Sequence, residues 1–251
     1  MNKGILMWPF FIQIYIYSAL ENLALWAQSE SCGSALFNVG GNSNNEITMI
    51  TDDEILRDDF KKCVDFHGHI CPGLAIGYRA SRAALEWMDE KRARDEEMIA
   101  TVETDACGTD AIQVLIGCTA GKGNLIQKDY GKHVYTIMGR NSGKGVRISL
   151  KAGTLDLSER HQELIQRIMT NEITERERKE FWNLHVQKAR EILEKPLKDL
   201  FTIEPANIAT PPKAMIEASI PCGKCGEPTM VSKLVDREGS IICRDCLEKE
   251  Q

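Results

Sequence analysis

One stretch of the sequence, Cys63-Val-Asp-Phe-His67-Gly-His69-Ile-Cys71-Pro-Gly73, brings two imidazoles, two thiols and two glycines close together. Imidazole and thiolate are the ligands that zinc, copper and iron prefer in proteins. The glycines allow positive φ angles and a close approach of the backbone to a bound atom. Pro72 suits the first turn of a helix, because its φ angle is fixed near the helical value. The stretch therefore predicts one wall of a metal site.

The residues on either side of this stretch predict two helices. Upstream, Thr51-Asp-Asp-Glu54 resembles a helix N-terminus, and the next apolar residues are compatible with a helix that ends near His67. Downstream, apolar residues recur at helical spacing from Leu74 to Met88, with small residues between them that would allow close packing. We therefore expect the metal stretch to be a turn between two helices.

Two more cysteines follow a predicted strand. The β-rich segment 98–104 leads to Cys107, which precedes a short apolar helix at 111–117. A thiolate at a helix N-terminus is stabilised by the helix dipole, which lowers the pKa of the thiol. Cys118 lies at the other end of the same predicted helix.

Two glycine loops share the pattern G-x-x-x-G-K-G, at 117–123 and 139–145. A P-loop needs four residues between its glycines and a Ser or Thr after the Lys, so neither loop fits that motif. Hairpin turns are the favoured interpretation, and an anion held on backbone amides stays open as the alternative.

The rest of the main body completes an α+β pattern. Segments 132–138 and 146–150 predict paired antiparallel strands, and 158–169 and 174–193 predict two helices, the second with a capping box. We expect helices packed on an antiparallel or mixed sheet, followed by a small zinc-finger module. Surface or packing roles are favoured over metal ligation for three further histidines: His133, His161 and His185.

Composition limits the possible classes of protein. The 251 residues with 43% hydrophobic content can form one sizeable core plus a small module. A net charge of -6 argues against a general polyanion binder. Nine cysteines, an odd number, favour metal thiolates in a reducing, cytoplasmic compartment over a secreted disulfide scaffold.

Residues 1–48 differ from the rest, since residues 5–20 are almost continuously apolar. A signal peptide, a membrane anchor and upstream translation before Met49 all remain open. We favour upstream translation, because Gly40-Gly-Asn-Ser-Asn-Asn45 resembles a disordered spacer. We expect a membrane partner only if residues 1–48 are part of the working protein.

The C-terminal region carries two Cys-x-x-Cys pairs, Cys222-Gly-Lys-Cys225 and Cys243-Arg-Asp-Cys246. Two such turns predict a closed zinc site, and two disulfides or redox dithiols are the alternative. Zinc supplies roughly 10–16 kcal/mol in comparable peptides, so the metal would fold this segment. Acidic residues outnumber basic ones there, six to five, which argues against nucleic acid as a partner.

These patterns divide the chain into four parts. We predict an extension at 1–48, a metal-binding domain at 49–203, a linker at 204–218 and a four-cysteine zinc finger at 219–251.

Two blocks of the main body resemble the FmdE family of proteins linked to formylmethanofuran dehydrogenase. They are Phe66-His67-Gly-His69-Ile-Cys71-Pro-Gly73-Leu-Ala-Ile-Gly77-Tyr-Arg79, and 107–113 together with 117–124. The resemblance covers about residues 63–200. The finger resembles the four-cysteine module of the DksA/TraR type.

The resemblance implies a dimeric α+β domain with a metal cleft, associated with the molybdenum or tungsten formylmethanofuran dehydrogenase that reduces carbon dioxide in methanogenesis. Zinc is expected in the finger, and zinc or another transition metal in the cleft. A regulatory or interaction protein, whose main domain senses a small molecule or metal, is the alternative. Asp105 and Asp110 are either partners that orient an imidazole or structural residues.

The predicted metal ligands are His67, His69, Cys71, Cys107, Cys118, Cys222, Cys225, Cys243 and Cys246. Within this set, Cys107 and His69 are the residues we expect to act in any catalysis.

Overall fold

The computed structural model describes residues 57–206 and 210–249, which form two compact units divided between Pro211 and Pro212. The predictions for residues 1–48 and for a helix start at 51–54 lie outside the described residues. No helix among the described residues has the length and apolar character needed to cross a bilayer.

The first unit is a mixed five-stranded sheet with helices packed on it, which confirms the predicted fold class. Its helices are α1 (Asp58–His67), α2 (Pro72–Met88), α3 (Gly108–Leu115), α4 (Glu159–Met169), α5 (Glu175–Glu194) and α6 (Leu197–Leu200). Its strands are β1 (Met98–Val102), β2 (Leu125–Gln127), β3 (Val134–Gly139), β4 (Gly145–Leu150) and β5 (Phe201–Pro205). The strand order is β2-β1-β3-β4-β5, with β1 and β2 parallel and the other pairs antiparallel.

The predicted turn between two helices is confirmed at α1 and α2. Gly68 ends α1 in the left-handed conformation, with φ 93°, which a residue bearing a Cβ adopts only at a cost. Pro72 opens α2, and the Cys71 sulfur caps that helix by accepting a hydrogen bond from the Leu74 N–H at 3.4 Å. The turn is therefore fixed at both ends by local chemistry.

Helix α2 is the centre of the first unit, since it packs on α3, α5 and β4. The approach to α3 needs glycine, because a Cβ at Gly77 would lie 2.1 Å from the Gly108 carbonyl oxygen. Large fully buried side chains fill the surrounding space, among them Ile76, Met88 and Ile137. Truncating one of these to Ala would cost about 2–5 kcal/mol.

Helices α4 and α5 form a pair with its own small core of Leu164, Ile165 and Phe181. The predicted capping box is confirmed: the Glu177 N–H donates to the Thr174 hydroxyl, and the Thr174 N–H donates to the Glu177 carboxylate.

The two glycine loops have different structures. The 139–145 loop joins β3 and β4 as a hairpin, as predicted. The hairpin prediction is wrong for 117–123, because this loop leads into β2, which pairs parallel to β1 and needs a crossover. Both lysines donate to main-chain carbonyls: Lys122 to Asp95 at 2.9 Å, and Lys144 to Met88 at 2.8 Å.

Strand β5 differs from the prediction, since Glu204 and Pro205 belong to it and not to a linker. The antiparallel partner β4 supplies the backbone hydrogen bonds that the local composition does not indicate.

The second unit is built from short elements. They are β6 (Ser219–Pro221), β7 (Pro228–Met230), β8 (Leu234–Arg237), β9 (Ser240–Cys243) and α7 (Arg244–Glu248). Strands β6 and β7 form one hairpin, and β8 and β9 form another. Its small core consists largely of cysteines, with Ile242. Such a core is too small to stabilise the unit alone.

Candidate metal centre

The turn between α1 and α2 gathers three metal-ligand side chains. Donor atoms of His67, His69 and Cys71 all lie within 4.8 Å of one another. The Cys71 sulfur is 3.7 Å from His67 Nε2, and the two imidazole rings have centroids 4.4 Å apart. Three soft or borderline donors at this spacing could hold a transition metal ion.

Asp110 orients His67. Its carboxylate oxygen Oδ2 lies 2.7 Å from His67 Nδ1, while its other oxygen accepts from the Gln113 side chain at 3.2 Å. Metal-binding histidines commonly donate their second N–H to a carboxylate in this way. Burial alone would lower the pKa of His67, but hydrogen bonds with Asp110 and Cys107 outweigh it and raise that pKa to about 9. Asp105 is exposed.

Cys107 faces the same turn from the start of α3. A Cβ placed on Gly73 would lie 3.1 Å from the Cys107 Cβ and 3.7 Å from its sulfur. The hydrogen bond with Cys71, helped by a hydrogen bond and charge from His67, outweighs burial and lowers the pKa of Cys107 to about 4. The same bond and burial raise the pKa of Cys71 well above its ordinary value.

Cys107 is thus a half-buried thiolate beside the Cys71 thiol and two histidines, and the thiolate is the form of cysteine that binds a metal. The sequence predicted a low pKa at this position from the helix dipole. In the structure the Cys71 thiol is the largest cause, and His67 adds to it.

Cys118, also predicted as a ligand, is not brought to this group. An eight-residue helix separates it from Cys107, and such a helix is roughly 12 Å long. Its side chain is fully buried in the main core, where burial raises its pKa to about 12. Cys63 is likewise a buried helix residue, and its thiol donates to the Asp59 carbonyl at 3.4 Å.

A cluster of rings from α4 and α5 packs behind His69. The Trp182 and His69 rings meet edge to face, with their centroids 5.6 Å apart. His161 Nε2 lies 3.0 Å from His185 Nδ1. These contacts agree with packing roles for His161 and His185. Burial and the charge of His67 lower the pKa of His69, which keeps its ring neutral.

Tyr135 is another neighbour that the sequence did not single out. Its side chain is fully buried, and a Cβ at Gly108 would lie 2.2 Å from its hydroxyl oxygen. Gly108 follows Cys107, so Tyr135 supports the backbone that holds the thiolate. Trp182 and Tyr135 are each far in sequence from the residues they support, and local periodicity carries no signal for such contacts.

The four cysteines of the second unit form a separate group, with sulfurs all within 4.8 Å of one another: Cys222, Cys225, Cys243 and Cys246. The sulfurs of Cys225 and Cys243 are 3.9 Å apart, close to the ~3.8 Å edge of a tetrahedron with zinc–sulfur bonds of about 2.3 Å. The backbone N–H groups of Cys225 and Cys243 lower the pKa of Cys222 to about 6. The described cysteines are all free, without disulfides.

Fold and sites together define a mixed α/β protein with a histidine–cysteine group in its main unit and a four-cysteine group in a small second unit. The family model described as "FmdE, Molybdenum formylmethanofuran dehydrogenase operon" matches residues 66–202, more than half of the chain. The chain belongs to the FmdE family, as the two sequence blocks indicated.

Two similar proteins extend the comparison. A protein of Archaeoglobus fulgidus, described as a probable S-adenosyl-L-methionine-binding protein, is 35% identical over 182 residues, which cover 68% of this chain and 49% of the relative. The chain thus spans about half the length of the curated relative it matches. A crystal structure of a tungsten formylmethanofuran dehydrogenase FmdE-like protein from Syntrophus aciditrophicus aligns with TM-score 0.48 and 24% identity, over 75% of this chain and 90% of that one.

Proposed function

We propose that the first unit is a metal-binding protein in which His67, His69, Cys71 and Cys107 hold one transition metal ion. The observation that carries the proposal is the convergence of the His67, His69 and Cys71 donor atoms within 4.8 Å, joined by the Cys107 thiolate, which is hydrogen-bonded with Cys71 and His67. Two nitrogens and two sulfurs suit zinc best, with iron or copper as further possibilities. If one of the four is not a ligand, the ion keeps an open position.

The surrounding residues support this assignment. Asp110 holds His67 with Nδ1 away from the centre, so that Nε2 faces Cys71. Burial keeps His69 neutral, with a lone pair free for a metal. With three of these residues as ligands, an ion bound there would polarise a substrate oxygen or lower the pKa of bound water in its open position. Cys107 and His69 are the residues we propose to act on a substrate.

The second unit is proposed to be a structural zinc finger of the DksA/TraR type. Its cysteine spacing, tetrahedral sulfur separation and small core all favour folding by zinc. A reducing, cytoplasmic setting belongs to the proposal, because free thiolates persist where disulfides do not form.

The wider role we propose is that of an accessory homodimer to molybdenum or tungsten formylmethanofuran dehydrogenase, in carbon dioxide reduction to formylmethanofuran. It rests on the family description alone. Co-purification of the native chain with components of that enzyme would support this role, and a native chain that elutes free of them would contradict it.

A second candidate is a regulatory protein that binds S-adenosyl-L-methionine. The 35% identity to the Archaeoglobus fulgidus relative favours this ligand. Saturable binding of S-adenosyl-L-methionine in calorimetry, absent for adenosine plus methionine, would support it. Equal heats with both would contradict it.

Metal content per chain tests the first proposal. We expect two ions in the wild-type chain and one in the His69→Ala, Cys107→Ala double variant. Cys118→Ala is the matched control, since it also removes a buried thiol but should keep two ions. One ion in the wild-type chain, unchanged in the double variant, would contradict the proposal.

A further inference from the structure

A cleft of about 430 Å³ opens at one end of the sheet. The start of β3, the end of β4 and the following turn at 151–156 form its walls. Small-molecule sites commonly have volumes of this order, with apolar walls and a few polar groups.

The cleft has an apolar floor and a cationic rim. Val134, Leu150 and Leu155 line its inner part, and Lys132 and Lys151 are exposed at its mouth. Asp156 is the acidic side chain in the lining, so lysines outnumber carboxylates there although the whole chain carries a charge of -6. The Lys151 ammonium is anchored, because it donates to the Lys198 carbonyl at 2.6 Å.

His133 adds a polar group to the lining. Its Nδ1 lies 3.4 Å from the Tyr135 hydroxyl, which in turn lies against Gly108 beside Cys107. Tyr135 therefore separates the cleft from the metal centre, so that a ligand in the cleft would neighbour that centre without touching the ion.

We propose that this cleft is a binding site for a small organic anion, with its hydrocarbon part on the apolar floor and its anionic group between Lys132 and Lys151. Two cations at the mouth attract the charged group, and the apolar floor favours a ligand with a hydrocarbon body over a bare inorganic oxyanion. The site does not depend on the proposed function, because the cleft is lined by none of the proposed metal ligands.

Hexanoate is a suitable probe, with hexanol as a control for the hydrocarbon body and inorganic phosphate as a control for the charge. Calorimetry and amide NMR on the metal-loaded full chain should show saturable hexanoate binding that shifts the amide signals of 151–153. Hexanol and phosphate should each bind more weakly than hexanoate.

A pair of lysine variants completes the test. Lys132→Ala with Lys151→Ala should weaken hexanoate binding by about fivefold. Lys179→Ala with Lys195→Ala removes the same charge from exposed positions on or next to α5 and should leave binding unchanged. Metal content of both variants should equal that of the wild-type chain, which separates this test from that of the metal centre.

Three results would overturn the proposal. They are no saturable hexanoate binding, hexanol binding as tight as that of hexanoate, and equal losses in the two lysine pairs. If phosphate still binds in the first of these cases, the ligand class is an inorganic oxyanion instead.

Discussion

His67 Nδ1 lies 2.7 Å from the Asp110 carboxylate, although the two residues are 43 positions apart in the chain. This contact joins the end of α1 to the first turn of α3. It turns His67 Nε2 toward the Cys71 sulfur, 3.7 Å away. The donor group therefore depends on packing between helices as well as on the short His-Gly-His-x-Cys turn.

Asp110→Asn should weaken metal binding at the main centre by about 10–100-fold, because an amide orients the imidazole less well than a carboxylate. Competition against a chromophoric zinc chelator measures the affinity. Asp105→Asn is the control, since it removes the same charge from an exposed neighbour. Equal affinities for the two variants would show that the His67 contact does not support the centre.

Gly77→Ala should destabilise the first unit by about 1–3 kcal/mol or more, since the new Cβ would lie 2.1 Å from the Gly108 carbonyl oxygen. The clash would also move Cys107 away from Cys71. Urea unfolding gives the change in free energy. At Gly121 a Cβ meets nothing within 4 Å, so Gly121→Ala should be nearly neutral. A stable Gly77→Ala protein with full metal content would contradict the close packing.

The stability of the first unit should decrease as the pH falls below about 6.5. Burial, with His161 and His69, lowers the pKa of His185 to about 3, whereas an unfolded chain has a histidine pKa of about 6.5. Between these values the unfolded state binds more protons than the folded state. The free energy of unfolding therefore decreases as the pH is lowered. His185→Gln should flatten the curve by about 2 kcal/mol between pH 7 and 5. Thermal unfolding across that range measures it, and parallel curves for the two proteins would exclude His185 as a cause.

Removing zinc should unfold the second unit while the first unit keeps its fold. Three of the four cysteines, Cys222, Cys243 and Cys246, supply most of its core, and the metal supplies roughly 10–16 kcal/mol in comparable peptides. A chelator titration followed by amide NMR should broaden or shift the signals of 219–249. Cys243→Ser should give the same spectrum without chelator, whereas Cys63→Ser, outside the finger, should leave these signals in place. Unchanged finger signals after complete metal removal would contradict a zinc-dependent fold.

Local chemistry made the helix–turn–helix around Cys71 predictable, because Gly68, Pro72 and the apolar spacing each act within a few residues. Strands β1, β3 and β4, the long helices and the capping box at Thr174 were predictable for the same reason, whereas β2 and β5 were not. The sequence did not predict that Asp110, and not Asp105, orients His67, because this contact depends on how α3 packs against α1. Cys107 and Cys118 were both predicted as ligands, and the helix between them places their side chains apart.

X-ray absorption at the zinc edge tests the central claim most directly, in a full-length Cys222→Ser, Cys225→Ser variant whose finger no longer competes for metal. We predict one bound zinc with two sulfur and two nitrogen neighbours, the nitrogen signals showing the outer-ring scattering of imidazole. Loss of one sulfur in the further Cys107→Ala variant would assign that ligand. A variant that binds no zinc, or zinc surrounded by oxygen alone, would contradict the proposed centre.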